Sequence, residues 1–189
     1  QKPRTLSLAS ESKGSCPFCD LTQLPAILKQ DGDILLVPNK YPILKDSTPY
    51  VLIETSQCDS ELSLYSENHL FRVFQMALET WFEMTANPQY ASVLFLKNHG
   101  PFSGGSIRHP HMQLIGLHYV DYKPNIAHLD FEGPSIWEKP GVCLNISGWP
   151  RIGFTEFNIK LTDRSQWQEM CRLIQKTIHY ILNHFMKGR

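Results

Sequence analysis

Apolar positions along this chain follow two periods, and the switches between them mark its elements. Residues 33–37 (DILLV) and 50–54 (YVLIE) are short apolar runs that read as strands, with a Pro- and Asn-containing turn over 38–42 between them. From about 66 to 86 the period becomes helical. Leu70, Phe74, Leu78, Trp81 and Phe82 make an apolar stripe, Ser66 suits the N-cap, and Asn87-Pro88 stops the run. The stripe is read as core, and His69, in the first turn, as a solvated or capping residue. Residues 93–96 (VLFL) return to strand, a Gly- and Ser-rich turn follows, and apolar sequence resumes at Pro110 and runs on to Tyr122. Pro110 argues for an edge strand.

Residues 123–141, rich in Pro and acids, read as a long loop, 143–146 and 154–161 as two further strands, and 149–153 as their connection. The last element, about 165–184, puts Trp167, Met170, Ile174, Ile178, Ile181 and Phe185 on one helical face. Cys143 and Cys171 sit inside apolar patterns and are expected as small core residues. Strand, strand, helix, strand, strand, then a partial echo of strand, strand, helix, predicts an α+β fold: an antiparallel sheet with flanking helices. Residues 1–15, polar and rich in serine, read as a loose N-terminal arm.

Composition narrows the function classes. The 189 residues carry 18 basic and 18 acidic side chains, a formal net charge of zero, and no basic run. A phosphate-tracking nucleic-acid surface is therefore disfavoured. No apolar stretch is long enough to span a bilayer and the N-terminus has no secretory pattern, so a cytoplasmic protein without membrane partners is expected. Gln1 in place of Met suggests a trimmed start. Five cysteines are an odd number for a disulfide scaffold. Cys16-Pro17-Phe18-Cys19 has the spacing of a zinc knuckle, of a redox pair, or of two spare thiols. Two local ligands do not complete a zinc site.

The chemistry concentrates in residues 98–115. In an extended strand His109, His111 and Gln113 share one face, and Pro110, Met112 and Leu114 the other. Imidazole can be nucleophile, base or metal ligand, and a carboxamide donates and accepts without titrating. The preceding loop offers backbone N–H groups at Gly104-Gly105 and hydroxyls at Ser103 and Ser106, which suit a phosphate. The same glycines could serve only to turn a hairpin, leaving the histidines on a sheet surface.

The run His109-Pro110-His111-Met112-Gln113-Leu114-Ile115 resembles the histidine-triad (HIT) signature, in the form with Pro between the histidines and Gln in third place. That form is similar to the galactose-1-phosphate uridylyltransferase branch. Cys16-Pro17-Phe18-Cys19 resembles the branch's N-terminal zinc knuckle, Asn98-x-Gly100 its phosphate-contacting Asn-Lys-Gly, and Gly104-Gly105-Ser106 its Gly-Cys-Ser turn. His99 stands where the family has lysine, and Arg108 where it has proline; by parity Arg108 points away from the site. The resemblance implies a HIT-like catalytic repeat over 16–122 and a shortened second repeat over 123–189 that ends in a helix.

Carried over residue by residue, the resemblance implies His111 as nucleophile with Gln113 beside it. Asn98, Gly100, Gly104, Gly105 and Ser106 would hold phosphate. A structural Zn2+ would be held by Cys16, Cys19 and His109, with Cys58 as fourth ligand in place of the family's histidine and His69 in reserve. The implied reaction is nucleotidyl transfer through a nucleotidyl-histidine, from a nucleotide or nucleotide sugar to a phosphate acceptor, and a homodimer fits the family pattern. The alternatives are a HIT-type nucleotide phosphohydrolase and a non-catalytic nucleotide-binding zinc protein. Gln113 favours transfer or phosphorolysis, because the hydrolytic branches carry histidine there and glutamine cannot protonate a leaving group.

Overall fold

A computed structural model describes residues 16–41, 44–99, 103, 107–151 and 155–185. The expected arm over 1–15 lies outside them. The first sheet is built from β1 (Lys29–Asp31), β2 (Ile34–Pro38), β3 (Ser47–Ile53), β4 (Ser92–Leu96) and β5 (His111–Leu117). Their order is β1-β2-β3-β5-β4, and every pair is antiparallel. Between β3 and β4 runs the helix α1 (Glu67–Ala86), with Ser66 accepting from His69 N at its start and Asn87 closing its end. The second sheet, β6 (Ser135–Lys139), β7 (Val142–Ile146) and β8 (Phe157–Leu161), is also antiparallel, and α2 (Trp167–Tyr180) follows it.

The fold is thus the α+β arrangement expected from the sequence, with two strands that the pattern did not announce. β1 is three residues long and joins β2 through Gly32, whose φ of +62° is open to glycine at little cost. β6 lies inside residues 123–141, which instead of a single long loop contain two 3-10 turns and this strand. Three of its five residues, Ser135, Glu138 and Lys139, are polar or charged, so it has the composition of an edge strand and lacks an apolar run.

The expectation that Pro110 marks an edge strand is overturned. β5 lies between β3 and β4, inside the sheet. Pro110 sits one residue before β5, where its missing N–H breaks no ladder bond, while its carbonyl accepts the Glu54 N–H at 3.1 Å. β5 also ends at Leu117 and does not continue to Tyr122.

Parity decides what each face of the sheet does. Ile34, Leu36, Leu52, Met112 and Leu114 point to α1 and join Leu70, Val73, Phe74, Ala77 and Met84 in the main core. Cys171 of α2 is fully buried in the same core, and the Gln175 side-chain amide donates to the carbonyls of Leu62 and Tyr65, so the second unit's helix is packed on the first. Cys143 is only half-buried. On α1 the buried line runs through Leu70, Val73, Phe74, Ala77, Thr80 and Met84. Phe82 falls outside it and is exposed, with the Arg164 guanidinium 4.9 Å above its ring. Of the expected stripe, Leu70 and Phe74 are in the core and Trp81 packs against it, whereas Phe82 faces out and Val73, Ala77 and Met84 complete the buried face.

Leu114→Ala, which empties a site with no solvent exposure, is expected to cost about 2–5 kcal/mol in urea unfolding. Phe82→Ala should cost less than half as much, and equal losses would contradict the assigned helix face.

Candidate functional site

The opposite face of the sheet carries only a small apolar cluster, Leu35, Val37, Val51 and Ile53, with Phe18 and Leu24 packed on it. His111 pairs with Ile53 and Gln113 with Val51, so both polar side chains rise from this face. With Phe18, Leu24, Val37, Asn39, Tyr41 and Asn98 they line a cleft of about 480 Å³. That size suits a nucleotide-sized ligand.

At one end of the cleft, Cys16-Pro17-Phe18-Cys19 forms a tight turn closed by Cys19 N donating to Cys16 O at 3.0 Å. Cys58 arrives from the segment after β3, and His109 from the bend before β5. One ligand atom from each of Cys16, Cys19, Cys58 and His109 lies within 4.8 Å of the others. His109 is 1 % exposed, and its ring is held in one sense. Its Nε2 is 2.7 Å from the Thr55 carbonyl, which can only accept, so Nε2 carries the proton. Nδ1, left with its lone pair, faces the Cys16 and Cys19 sulfurs at 3.5 Å each. A buried imidazole nitrogen and three thiols at these separations can hold a metal ion, and four such donors suit tetrahedral coordination. Burial and the neighbouring thiols push the Cys58 thiol up to about 12, and burial pushes Cys19 up as well. His69, the reserve ligand, is elsewhere: its Nε2 donates to the Glu54 carbonyl at 2.8 Å and its ring meets Tyr65 edge-on. It is therefore neither a ligand nor simply solvated.

His111 is held the other way round. Its Nδ1 lies 2.8 Å from the His109 carbonyl and so bears the proton, which leaves the lone pair on Nε2. The Phe18 ring packs edge-on against it at 5.3 Å. Burial, helped by the nearby Lys97 charge, lowers the basicity of His111 below that of ordinary imidazole, so the ring stays neutral. The Gln113 Oε1 atom has no hydrogen-bond partner although the residue is only 8 % exposed. That oxygen at the cleft wall can accept a hydrogen bond from a ligand's N–H or O–H group.

The expected site residues therefore divide into three groups. Cys16, Cys19, Cys58 and His109 come together in one cluster, and Asn98, His111 and Gln113 in the adjoining cleft. Gly100, Gly104, Gly105 and Ser106 lie outside the described residues. His99 pairs with Glu61 at 3.4 Å, and Arg108 with Asp59 at 3.2 Å on the surface. Sequence reasoning missed Phe18 and a trio beneath His111, the buried Glu54 with the half-buried Lys97 and Tyr65. The signal was an acid ending one apolar strand and a lysine ending another.

Cobalt(II) titration of the protein is expected to give thiolate-to-metal absorption that weakens as pH falls, because binding must expel thiol protons. Cys58→Ser should lower the affinity by about tenfold or more and His69→Ala should leave the spectrum alone; the reverse pattern would refute the ligand set.

Family models and solved structures both match this chain over most of its length. The model of the N-terminal domain of a domain of unknown function, DUF4931, matches residues 1–120, and that of its C-terminal domain matches residues 123–189. A DUF4931 family protein from Bacillus cereus is 42 % identical, with a TM-score of 0.82 over 84 % of this chain and 73 % of that one. An ADP-glucose phosphorylase from Arabidopsis thaliana, solved with ADP-glucose bound, is 14 % identical with a TM-score of 0.72, over 93 % of this chain and 71 % of that one. A galT-like protein from the same plant is 16 % identical with a TM-score of 0.71, over 88 % and 70 %. At such identities the likeness is one of fold alone, shared with the galT-like protein and the ADP-glucose phosphorylase. No curated protein matches the chain.

Proposed function

The chain belongs to the DUF4931 family, and from the geometry of its cleft we propose that it is a nucleotidyltransferase acting on a nucleoside diphosphate sugar or related nucleotide. One observation carries the reading. His111 is neutral, its Nδ1–H is committed to the His109 carbonyl, and Nε2 is the nitrogen with the free lone pair in a nucleotide-sized cleft. The likeness in fold to an ADP-glucose phosphorylase and a galT-like protein supports the substrate class.

In the first half-reaction the Nε2 lone pair attacks the α-phosphorus, an N–P bond forms, and the P–O bond to the outer phosphate breaks. The leaving sugar phosphate departs with that bond's electron pair. The imidazole becomes a nucleotidyl-imidazolium, and its Nδ1–H, still donating to the His109 carbonyl, spreads the new positive charge. In the second half-reaction a phosphate oxygen of the acceptor attacks phosphorus, the N–P bond breaks, and neutral His111 returns. No proton has to move through Gln113, because a phosphate leaves as an anion without general-acid help. The side-chain NH2 groups of Gln113 and Asn98 instead donate to the phosphoryl oxygens, with the backbone of Gly100, Gly104 and Gly105 and the Ser106 hydroxyl as further donors. Cys16, Cys19, Cys58 and His109 would hold a zinc ion, which with four protein ligands would serve a structural role. Residues 123–189 form a shortened second repeat in this reading.

Intact-mass spectrometry after incubation with UDP-glucose, UDP-galactose, ADP-glucose or a dinucleoside polyphosphate, quenched at alkaline pH, is expected to show a mononucleotide increment on His111. His111→Asn should abolish it. Mononucleotide released without an acceptor would assign a phosphohydrolase instead, and nucleotide binding without increment or release would assign a binding module. Gln113→Ala is expected to slow transfer by roughly ten- to a thousandfold in stopped single-turnover assays, and an unchanged rate would remove it from the site.

A further inference from the structure

The trio beneath His111 has no part in that chemistry. Leu96 pairs with Gln113 and shares its face, so Lys97, the next residue, leaves the chain on the opposite side of the sheet. Glu54, one residue past Ile53, does the same from β3. The two side chains meet under the first residue of β5 in an ion pair. Glu54 has no solvent exposure, and each of its groups is engaged. One carboxylate oxygen takes Lys97, and the other accepts the Tyr65 hydroxyl at 2.9 Å. Its N–H donates to the Pro110 carbonyl at 3.1 Å, and its own carbonyl accepts from His69 at 2.8 Å. Lys97 Nζ also donates to the His111 carbonyl at 3.3 Å.

The ends of β3 and β4, the start of β5 and the first turn of α1 are thus tied at one point. One of these bonds and one from the ring itself bracket His111. The His109 carbonyl is held by the His111 ring and the His111 carbonyl by Lys97. We propose that Lys97 is a positioning residue: paired with Glu54, it locks the backbone at His111 so that the ring keeps its Nδ1–H bond and aims Nε2 into the cleft. The proposal rests on the nucleotidyl-transfer reading only for its kinetic consequence; its structural content stands apart from it.

Ionisation deep in a fold is a poor way to gain stability, because an apolar pair of the same volume commonly serves as well. A staple needed only for stability would therefore be replaceable, whereas one that orients a carbonyl needs the ammonium donor. This difference gives the test. The double variant Glu54→Gln/Lys97→Met removes both charges while keeping volume, and Lys97→Arg keeps the cation.

Long-range 15N–1H NMR of the metal-loaded protein should show His111 as the Nδ1–H tautomer in the parent and in Lys97→Arg, and as a tautomer mixture in the double variant. Single-turnover nucleotidylation should be about ten- to a hundredfold slower in the double variant, with nucleotide affinity within about twofold. A folded double variant that keeps the single tautomer overturns the proposal. Where the double variant does not fold, Glu54→Gln, which keeps shape but removes the charge that holds Lys97 in place, should also admit the second tautomer, and an unchanged ring there overturns it too. A parent protein that forms no nucleotidyl-His111 refutes the functional reading alone, since the tautomer still decides the role of Lys97.

Discussion

Two hydrogen bonds from imidazole N–H to backbone carbonyl organise everything at this site. His109 donates from Nε2 to Thr55, and His111 donates from Nδ1 to His109. Residues two apart along an extended chain face the same way, so the strand alone would give two equivalent rings. The carbonyls break that equivalence. One ring presents Nδ1 to three sulfurs, and the other presents Nε2 to the cleft. The second bond ends on the carbonyl of the residue whose ring joins the cysteine cluster, so the ring facing the sulfurs and the ring facing the cleft are coupled through one carbonyl. Whatever steadies the Cys3His cluster steadies His111 as well.

The surrounding fold reads as support for this arrangement. Residues 54–61 touch the 97–111 region through the Glu54 N–H and carboxylate, the Thr55 carbonyl, Cys58, Asp59 and Glu61. A short segment after β3 thereby carries ligand, acceptor and ion-pair roles in succession. The knuckle serves twice, since Phe18 between its two cysteines packs on both histidine rings. β5 is held between two antiparallel neighbours and backed by α1, and a central strand is a rigid base for a site that must hold its geometry to a fraction of an ångström.

Much of this was legible in the sequence because the relevant signals are local. Ser66 and Asn87-Pro88 bound α1 as the capping pattern requires, and the α+β order of elements followed from changes of period. The grouping of Cys58 with the knuckle came from family likeness joined to the chemistry of thiolate ligands. What stayed hidden depends on tertiary contact. β6 looks like loop because an edge strand needs no apolar run, and Pro110 misled because a proline just before a strand and one within an edge strand read alike. The Phe82 face failed because aromatic size outweighed geometry. Glu54 and Lys97 each looked like an ordinary charged residue ending a strand, and only the folding of three strands to one point makes them partners.

The central claim is that the two histidines flanking Pro110 have opposite tautomers and separate duties, one for the metal and one for phosphorus. Anomalous diffraction at the metal edge, from crystals of the metal-loaded protein with a nucleotide bound, tests it most directly. The account predicts the anomalous peak among the Cys16, Cys19 and Cys58 sulfurs and the His109 Nδ1, with His111 free of metal and its Nε2 in line with the α-phosphorus. A metal coordinated by His111 or His69, or a nucleotide lying away from the His111 face of the sheet, would contradict it.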